Sequence, residues 1–205
     1  MRTETWRLAT ALLALVVGPS FAQERVITLD ATSSRIEFLL PATGHDVHGS
    51  FAFEGGELRW DPETGVASGE LVVRAGAGES GNERRDKTMH RKVLESGLYP
   101  RFVMRVERVE GDLIPGGDNA LTLEGVLSIH GSEHPVRWPL NVQVTGEQFE
   151  ATGSLDVPYV EWGLHDPSML FLRVAGKVDV RVIATGTIAP AGSQTASHSG
   201  QGGVE

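Results

Sequence analysis

The sequence of 205 residues predicts an all-β protein in which about eight antiparallel strands close into an extended barrel covered by one helix. Three observations predict this fold. Apolar and polar residues alternate along several segments, turn-forming residues separate those segments, and glycine is frequent, at 25 of 205 residues against the roughly 7% that is usual. Closure into a barrel removes the exposed edges that an open sheet of this size would have.

The first segment of the chain, residues 1–22, has the pattern of a secretory signal peptide. Arg2 and Arg7 give it a positive start, an apolar stretch follows at 8–17, and Ala22 ends a small–x–small cleavage pattern. About ten apolar residues are too few to cross the ~30 Å hydrocarbon core of a bilayer. We therefore expect cleavage after Ala22 and a periplasmic location.

Strands are expected along most of the chain that follows. Alternation is clearest at 121–130, 136–145 and 149–157, where one parity is apolar and the other is polar. A period of two places the two sets on opposite faces of a sheet. Weaker alternation of the same kind occurs at 36–40, 51–53, 58–60, 71–73, 102–106, 170–174 and 178–182. Turn-forming residues at 61–65, 115–118, 131–132 and 146–147 favour antiparallel neighbours.

Residues 83–95 interrupt the alternation and predict a helix. The segment has neither glycine nor proline, Gly97 follows it, and Ser80 precedes Glu83 by three residues, as in a capping box. The stripe expected to face the sheet comprises Asp86, Met89, His90 and Val93. The opposite side is expected to be basic and comprises Arg84, Lys87, Arg91 and Lys92.

The last segment, residues 189–205, is not expected to fold. It is rich in glycine, serine and other small residues and has almost nothing apolar to bury. The predicted organisation is therefore a signal peptide at 1–22, one barrel domain at 23–188 and a flexible tail at 189–205.

Composition excludes several classes of function. The formal net charge of −9 argues against a general nucleic-acid-binding surface. Cysteine is absent, which excludes disulfides, thiolate metal sites and cysteine nucleophiles. The sequence contains no nucleophile elbow, phosphate-binding glycine loop or dinucleotide fingerprint. These observations indicate a protein that is not an enzyme and has neither a cofactor nor a nucleic-acid partner.

The expected interior of the barrel is apolar and carries large side chains. A barrel of about eight strands either is filled by its own side chains or holds one slender ligand. The residues alone leave both possibilities open, a filled core and a ligand cavity, and any ligand would itself be apolar. The large inward residues are Phe38, Phe51, Trp60, Phe102, Met104, Trp138, Leu140 and Phe149.

Several short motifs follow one another along residues 26–186. They are Asp30 before a short strand, the glycine–histidine turn at 44–49, Ser80-Gly81-Asn82 followed by Arg85-Asp86, Tyr99-Pro100 after the helix, Gly125 and Gly131, and Trp162-Gly163-Leu164. In order and spacing these motifs resemble the YceI-like family of lipocalin-like barrels, which bind polyisoprenoid lipids. The chain is a divergent member of that pattern, because Val93-Leu94-Glu95 replaces a double phenylalanine of the family.

The resemblance implies an eight-stranded lipocalin-like barrel with an elongated pocket for an isoprenoid tail. Together with the periplasmic location expected from the signal peptide, it indicates a binding or carrier protein that sequesters an isoprenoid or similar long-chain lipid without catalysis. The lumen candidates are Phe38, Phe51, Phe53, Trp60, Met89, Phe102, Met104, Leu123, Leu127, Trp138, Leu140, Phe149, Leu155 and Trp162. The head-group candidates are Arg85, Asp86 and His90.

Two other hypotheses are compatible with the sequence. The turn histidines His45 and His48, joined by His90 or His130, could hold a metal ion, because imidazole is a common metal ligand. A barrel with a filled core would instead serve as an interaction or stress protein. The basic side of the helix is either a solvated face or a surface for transient contact with an anionic membrane.

Overall fold

The computed structural model describes residues 23–168 and 173–192, so the predicted signal peptide and most of the predicted tail lie outside it. As the alternation predicts, these residues form an all-β protein with one short helical segment. The strands are β1 (Arg25–Leu29), β2 (Arg35–Leu40), β3 (Val47–Trp60), β4 (Ala67–Arg74), β5 (Arg101–Glu110), β6 (Asp118–Ile129), β7 (Ser132–Thr145), β8 (Gln148–Val157) and β9 (Val178–Pro190). No helix in the described ranges is long and apolar enough to cross a membrane.

The strands close into an antiparallel barrel with eight positions. Strands β3 to β9 pair consecutively, and β1 and β2 share the remaining position, because each pairs with both β3 and β9. The chain bends between β1 and β2 at Asp30, whose carboxylate accepts hydrogen bonds from the hydroxyl and N–H groups of Thr32 and Ser33. These bonds, the Thr32 hydroxyl first among them, lower the pKa of Asp30 to about 2.

Two β-bulges keep apolar side chains inside the barrel along the long strands. The register of β3 shifts between Phe53 and Gly55, so Phe53 and Leu58 are both buried although their parity differs. A bulge inserts one residue and so exchanges the two faces of a strand. The separate strands expected at 51–53 and 58–60 are one strand, since the glycines between them lie at this bulge rather than in a turn. A second bulge in β5 brings Val109 inward.

The helical segment covers one end of the barrel. Its α-helix, α1 (Glu83–Thr88), continues as a π-helical turn over Met89–Val93. Asn82, rather than the expected Ser80, caps α1, because the Asn82 side chain accepts a hydrogen bond from the Arg85 N–H (3.0 Å). A small core beneath the segment consists of Val93, Leu94, Ile129, Val157, Tyr159 and Leu164.

A loop of residues 111–117 packs against the opposite end of the barrel. The side chain that organises this loop is Asn119, which is only 3% exposed. Its Oδ1 accepts a hydrogen bond from the Ile114 N–H (2.6 Å), and its Nδ2 donates to the carbonyls of Ile114, Gly117 and Val142. Leu113 is thereby held against the main apolar core.

The boundaries of the barrel differ from the expected ones at both ends of the chain. β1 was not among the expected strands, because only Ile27, Thr28 and Leu29 alternate within it, whereas Val26 and Ile27 are adjacent apolar residues. β9 continues two residues beyond 188, because Ala189 and Pro190 pair with Val26 and Arg25 of β1. Leu170 and Leu172, from the weak alternation at 170–174, lie outside the described residues.

Candidate functional site

The barrel encloses an apolar cavity of about 720 Å³. This volume falls within the ~300–1,000 Å³ that is common for small-molecule sites. Every strand contributes side chains to the cavity wall, from Ile27 in β1 to Ile188 in β9. Of the two possibilities that the sequence left open, the structure therefore has the lumen rather than the filled core.

Thirteen of the fourteen lumen candidates line this cavity. Their inward placement follows from strand alternation together with the two bulges, which restore the apolar parity in β3 and β5. Met89 is the one candidate from the helical segment, and it faces the cavity from above the strands. The thirteen are Phe38, Phe51, Phe53, Trp60, Met89, Phe102, Met104, Leu123, Leu127, Trp138, Leu140, Phe149 and Leu155.

The fourteenth candidate, Trp162, does not line the cavity. Its indole stacks on the His134 imidazole, with ring centroids 4.1 Å apart and planes inclined by 5°. Trp162 follows β8 in a turn whose backbone folds back on itself, with the Trp162 N–H donating to the Pro158 carbonyl (3.0 Å). This turn directs the residue to the imidazole instead of the lumen, so the assignment of Trp162 to the cavity wall does not match the structure.

Some of the cavity wall was missed by the sequence analysis. Ile27 and Leu29 belong to β1, which was not expected, and Val109 faces inward only because of the β5 bulge. The only signal for the first two residues is that they flank Thr28 as apolar neighbours of equal parity. Val109 carried no such signal, because a bulge is set by the pairing of two strands rather than by the pattern along one of them.

An aromatic cluster narrows the cavity near the helical segment. Phe51 lies between Phe38 and Phe102, with ring centroids 5.4 Å and 5.5 Å away respectively. Two glycines make room for these rings: a Cβ built on Gly49 would stand 2.3 Å from the Phe38 ring, and one on Gly78 would stand 2.3 Å from the Phe51 ring. The cluster therefore depends on glycine at both positions.

Two polar atoms in the cavity wall have no hydrogen-bond partner within residues 23–168 and 173–192. The indole N–H groups of Trp60 and Trp138 are buried and reach no acceptor among the described residues. A buried donor without an acceptor costs about 1–3 kcal/mol. Both indoles belong to residues of the cavity wall.

The three head-group candidates occupy different places. Arg85 lines the cavity, and its guanidinium donates to the Ser80 hydroxyl (2.7 Å) and to the Ser80 carbonyl (2.6 Å). Asp86 and His90 do not line it. The Asp86 carboxylate accepts hydrogen bonds from the Ser80 N–H and hydroxyl, and His90 Nε2 donates to the Gly78 carbonyl (2.8 Å). Asp86 and His90 thus fasten the loop before α1.

The helical segment presents a broader face to the cavity than the helical wheel predicts, because residues of both expected sides line it. Arg84 and Lys92, expected on the outer side, line the cavity together with Arg85, Thr88 and Met89. The expected inner stripe assumed a regular α-helix of thirteen residues, whereas α1 ends at Thr88 and continues as a π-helical turn. Because a π-turn holds more residues than an α-turn, it changes the direction of residues within it, such as Lys92, whereas Arg84 precedes the turn.

The histidines do not form a metal site in the described part of the chain, which has no group of three or more histidine, aspartate or glutamate side chains placed to hold a metal ion. His130 contacts the Glu95 carboxylate (2.7 Å) and lies against the Tyr99 ring. His134 stacks on Trp162, and the Ser96 hydroxyl donates to His90 Nδ1 (3.2 Å). These contacts give three histidines structural roles.

The pKa of Tyr159 is shifted because this residue is buried in the small core beneath the helical segment. It is 5% exposed, and its phenol donates a hydrogen bond to the Ala175 carbonyl (2.9 Å). Burial, supported by the nearby Asp166 carboxylate, raises the pKa of Tyr159 to about 12. Its phenol lines the cavity as a neutral group at physiological pH.

Comparison with known proteins agrees with the motifs in the sequence. A profile of the YceI-like domain matches residues 27–185 of the chain. No curated protein sequence matches it.

Solved structures of low sequence identity have the same fold. A polyisoprenoid binding domain from Saccharophagus degradans, implicated in plant cell wall breakdown, is 19% identical with a TM-score of 0.64, over 80% of this chain and 98% of that one. BcnA of Burkholderia cenocepacia is 18% identical with a TM-score of 0.65, over 78% and 99% of the two chains. A YCEI protein from Campylobacter jejuni is 12% identical with a TM-score of 0.51, over 71% and 85%.

Proposed function

The chain belongs to the YceI-like domain family, and we propose that it binds a polyisoprenoid or similar long-chain lipid inside its barrel, as a periplasmic carrier or sequestering protein without catalysis. The observation that carries this proposal is the continuous apolar cavity of about 720 Å³, which strands from the whole barrel line. A slender apolar chain is the ligand that such a cavity accommodates best.

Burial of the lipid chain supplies the affinity. Each methylene-sized group removed from water contributes about 0.8 kcal/mol. Roughly twenty such groups, the equivalent of four prenyl units, therefore contribute about 16 kcal/mol before costs. Association loses on the order of 4–15 kcal/mol of translational, rotational and conformational freedom. A chain of this length is thus enough for binding, and no covalent step is needed. The three prenyl units of farnesol contribute about 12 kcal/mol before costs, so we expect farnesol to bind more weakly than a longer prenol.

The structural neighbours support the choice of ligand. The Saccharophagus degradans domain is a polyisoprenoid binding domain, and it shares the barrel of this chain over 98% of its own length. The cavity wall described above supports the same class of ligand on independent grounds, because it is almost entirely aliphatic and aromatic.

Mass spectrometry of an organic extract tests the proposal. Protein purified from a bacterial periplasm without detergent should release a long-chain apolar compound, and the delipidated protein should bind added farnesol or a longer prenol with one-to-one stoichiometry. Absence of any extracted lipid, together with no binding of added prenols, would overturn the proposed function.

The periplasmic location is a separate part of the proposal and has its own test. It rests on the signal-peptide pattern of residues 1–22. The intact mass of the exported protein should correspond to a chain that begins at Gln23. Recovery of a cytoplasmic protein that still contains residues 1–22 would contradict this location while leaving lipid binding unaffected.

A further inference from the structure

The charged residues that line the cavity are all cationic. They are Arg84, Arg85 and Lys92, which belong to α1 and the π-helical turn. No aspartate or glutamate of the described residues lines the cavity, although acidic residues outnumber lysine and arginine by 27 to 18 in the sequence. A cleft with charges of one sign concentrates ligands of the opposite sign.

Two of these cations differ from the third in being exposed to solvent. Arg84 and Lys92 are exposed and take part in no ion pair among the described residues. Arg85 is held in place by Ser80, whose hydroxyl also contacts the Asp86 carboxylate. By contrast Lys87, which belongs to α1 but does not line the cavity, lies 4.0 Å from the Glu83 carboxylate.

The position of the cations marks the opening of the cavity. Arg84 and Lys92 both line the cavity and are exposed to solvent, as are His45 and His165, so all four lie at its rim. Below the rim, Met89, Val93 and the aromatic cluster begin the apolar wall. A charged group would lose its hydration if it moved past them, whereas at the rim it stays partly hydrated.

We propose that the lipid carries an anionic, phosphate-type headgroup, which Arg84, Arg85 and Lys92 hold at the rim while the apolar chain occupies the barrel. Guanidinium groups donate paired hydrogen bonds to phosphate oxygens, and an ammonium adds a point charge. This inference rests on the proposed function, because it concerns the polar end of the same ligand. It sets the orientation of the lipid, with the head at the helical segment and the tail toward the loop at 111–117.

Paired ligands with equal chains test the headgroup. Farnesyl phosphate and farnesol differ only at the polar end, so their affinities for the delipidated protein can be compared by calorimetry. The wild type should bind farnesyl phosphate about tenfold more tightly than farnesol, which corresponds to about 1.4 kcal/mol. The difference should shrink at high salt, because the rim is exposed and added ions screen its charges.

Variants that remove charge from the helical segment test whether Arg84 and Lys92 bind the headgroup. Arg84→Gln combined with Lys92→Gln should remove most of the preference for farnesyl phosphate, so that the variant binds the two ligands with nearly equal affinity. Lys87→Gln combined with Arg91→Gln is the matched control, because it removes the same charge from the same segment at positions that do not line the cavity. The control should keep the wild-type preference. Melting temperatures of both variants check that the fold is retained.

The possible outcomes distinguish a failure of the headgroup proposal from a failure of the proposed function. Equal binding of farnesyl phosphate and farnesol by the wild type would overturn the headgroup proposal and leave lipid binding intact. An equal loss of preference in the rim variant and the control would overturn the assignment to Arg84 and Lys92. Binding of neither ligand would overturn the proposed function and the inference with it. Displacement of farnesyl phosphate by equimolar inorganic phosphate would show a site for free anions instead of a lipid headgroup.

Discussion

Trp138 lies on the inner face of β7, where it is buried and has an indole N–H without an acceptor among the described residues. Its side chain is 7% exposed. Leu123 of β6 is its direct neighbour across the ladder and also lines the cavity. A change at this position therefore alters the lumen from its centre.

Trp138→Arg should abolish lipid binding. An unpaired charge in an apolar cavity costs several kcal/mol, so a lipid chain cannot occupy the lumen beside it. Lipid in an organic extract of the purified variant is the measurement, with circular dichroism to confirm folding. Trp138→Phe is the matched control, because it keeps an aromatic ring in the wall and should retain the lipid. A folded Trp138→Arg protein with wild-type lipid content would contradict a cavity lined by Trp138.

Tyr159 should make stability depend on alkaline pH. Its pKa is raised from 10.0 to about 12 in the folded protein, first by burial and then by the Asp166 carboxylate. Below pH 10 the phenol is neutral in both states, and its contribution to stability is fully present. Between about pH 10 and about pH 12 the unfolded chain ionises first, so stability falls as pH rises.

Tyrosinate absorbance measured against pH checks this expectation. The difference between the wild type and Tyr159→Phe should show a step near pH 12, and the variant should lose less stability than the wild type as pH rises above 10. A step near pH 10 in that difference would mean that Tyr159 is solvated rather than buried.

The loop at 111–117 is held by the Asn119 side chain. Removing this side chain should lower the free energy of unfolding. Asn119→Ala leaves the Ile114 N–H and three carbonyl groups without their bonds to the Asn119 amide. We expect a loss of about 1–3 kcal/mol in the free energy of unfolding, measured with urea. Asn141→Ala on the exposed face of β7 is the control and should change stability by less than ~0.5 kcal/mol. Equal stability of the two variants would contradict the role of Asn119.

The strands show which inward-facing residues alternation along a sequence can identify and which it cannot. It identifies the inward residues of β6, β7 and β8, because these strands pair without a register shift over their apolar positions. It cannot place the bulges in β3 and β5, since each one depends on the partner strand. Thirteen of the lumen candidates nevertheless line the cavity, because apolar residues on both sides of the β3 bulge face inward.

The helical segment shows where sequence reasoning does not suffice. A wheel drawn for a regular helix places Arg84 and Lys92 opposite the barrel, whereas both line the cavity together with Met89 and Val93 of the expected inner stripe. Trp162 was predicted to line the lumen for a related reason. It stacks on His134, which is distant in sequence, and no local pattern indicates this contact. Long-range contacts, which a single sequence does not show, decide both cases.

The barrel as a whole joins an apolar lumen to a cationic rim within an acidic protein. Only the folded chain has the cavity, so bound ligand should raise the free energy of unfolding of the entire domain. At a ligand concentration of 100 times Kd the gain is about 2.7 kcal/mol. For a domain of this size we expect a rise in melting temperature of about 5–10 °C when farnesol or a longer prenol is added to delipidated protein. Unchanged melting at saturating prenol would contradict binding to the folded barrel.

Fluorescence of single-tryptophan variants locates a bound chain most directly. Of the four tryptophans in the sequence, Trp138 lines the cavity and Trp162 does not. A prenol analogue with bromine on its tail quenches tryptophan only at short range. In the protein that retains only Trp138, with phenylalanine at the other three positions, we predict saturable quenching at one-to-one stoichiometry. In the protein that retains only Trp162 we predict little quenching. Binding of the analogue with Trp138 unquenched, or with Trp162 quenched equally, would contradict a lipid chain inside the barrel.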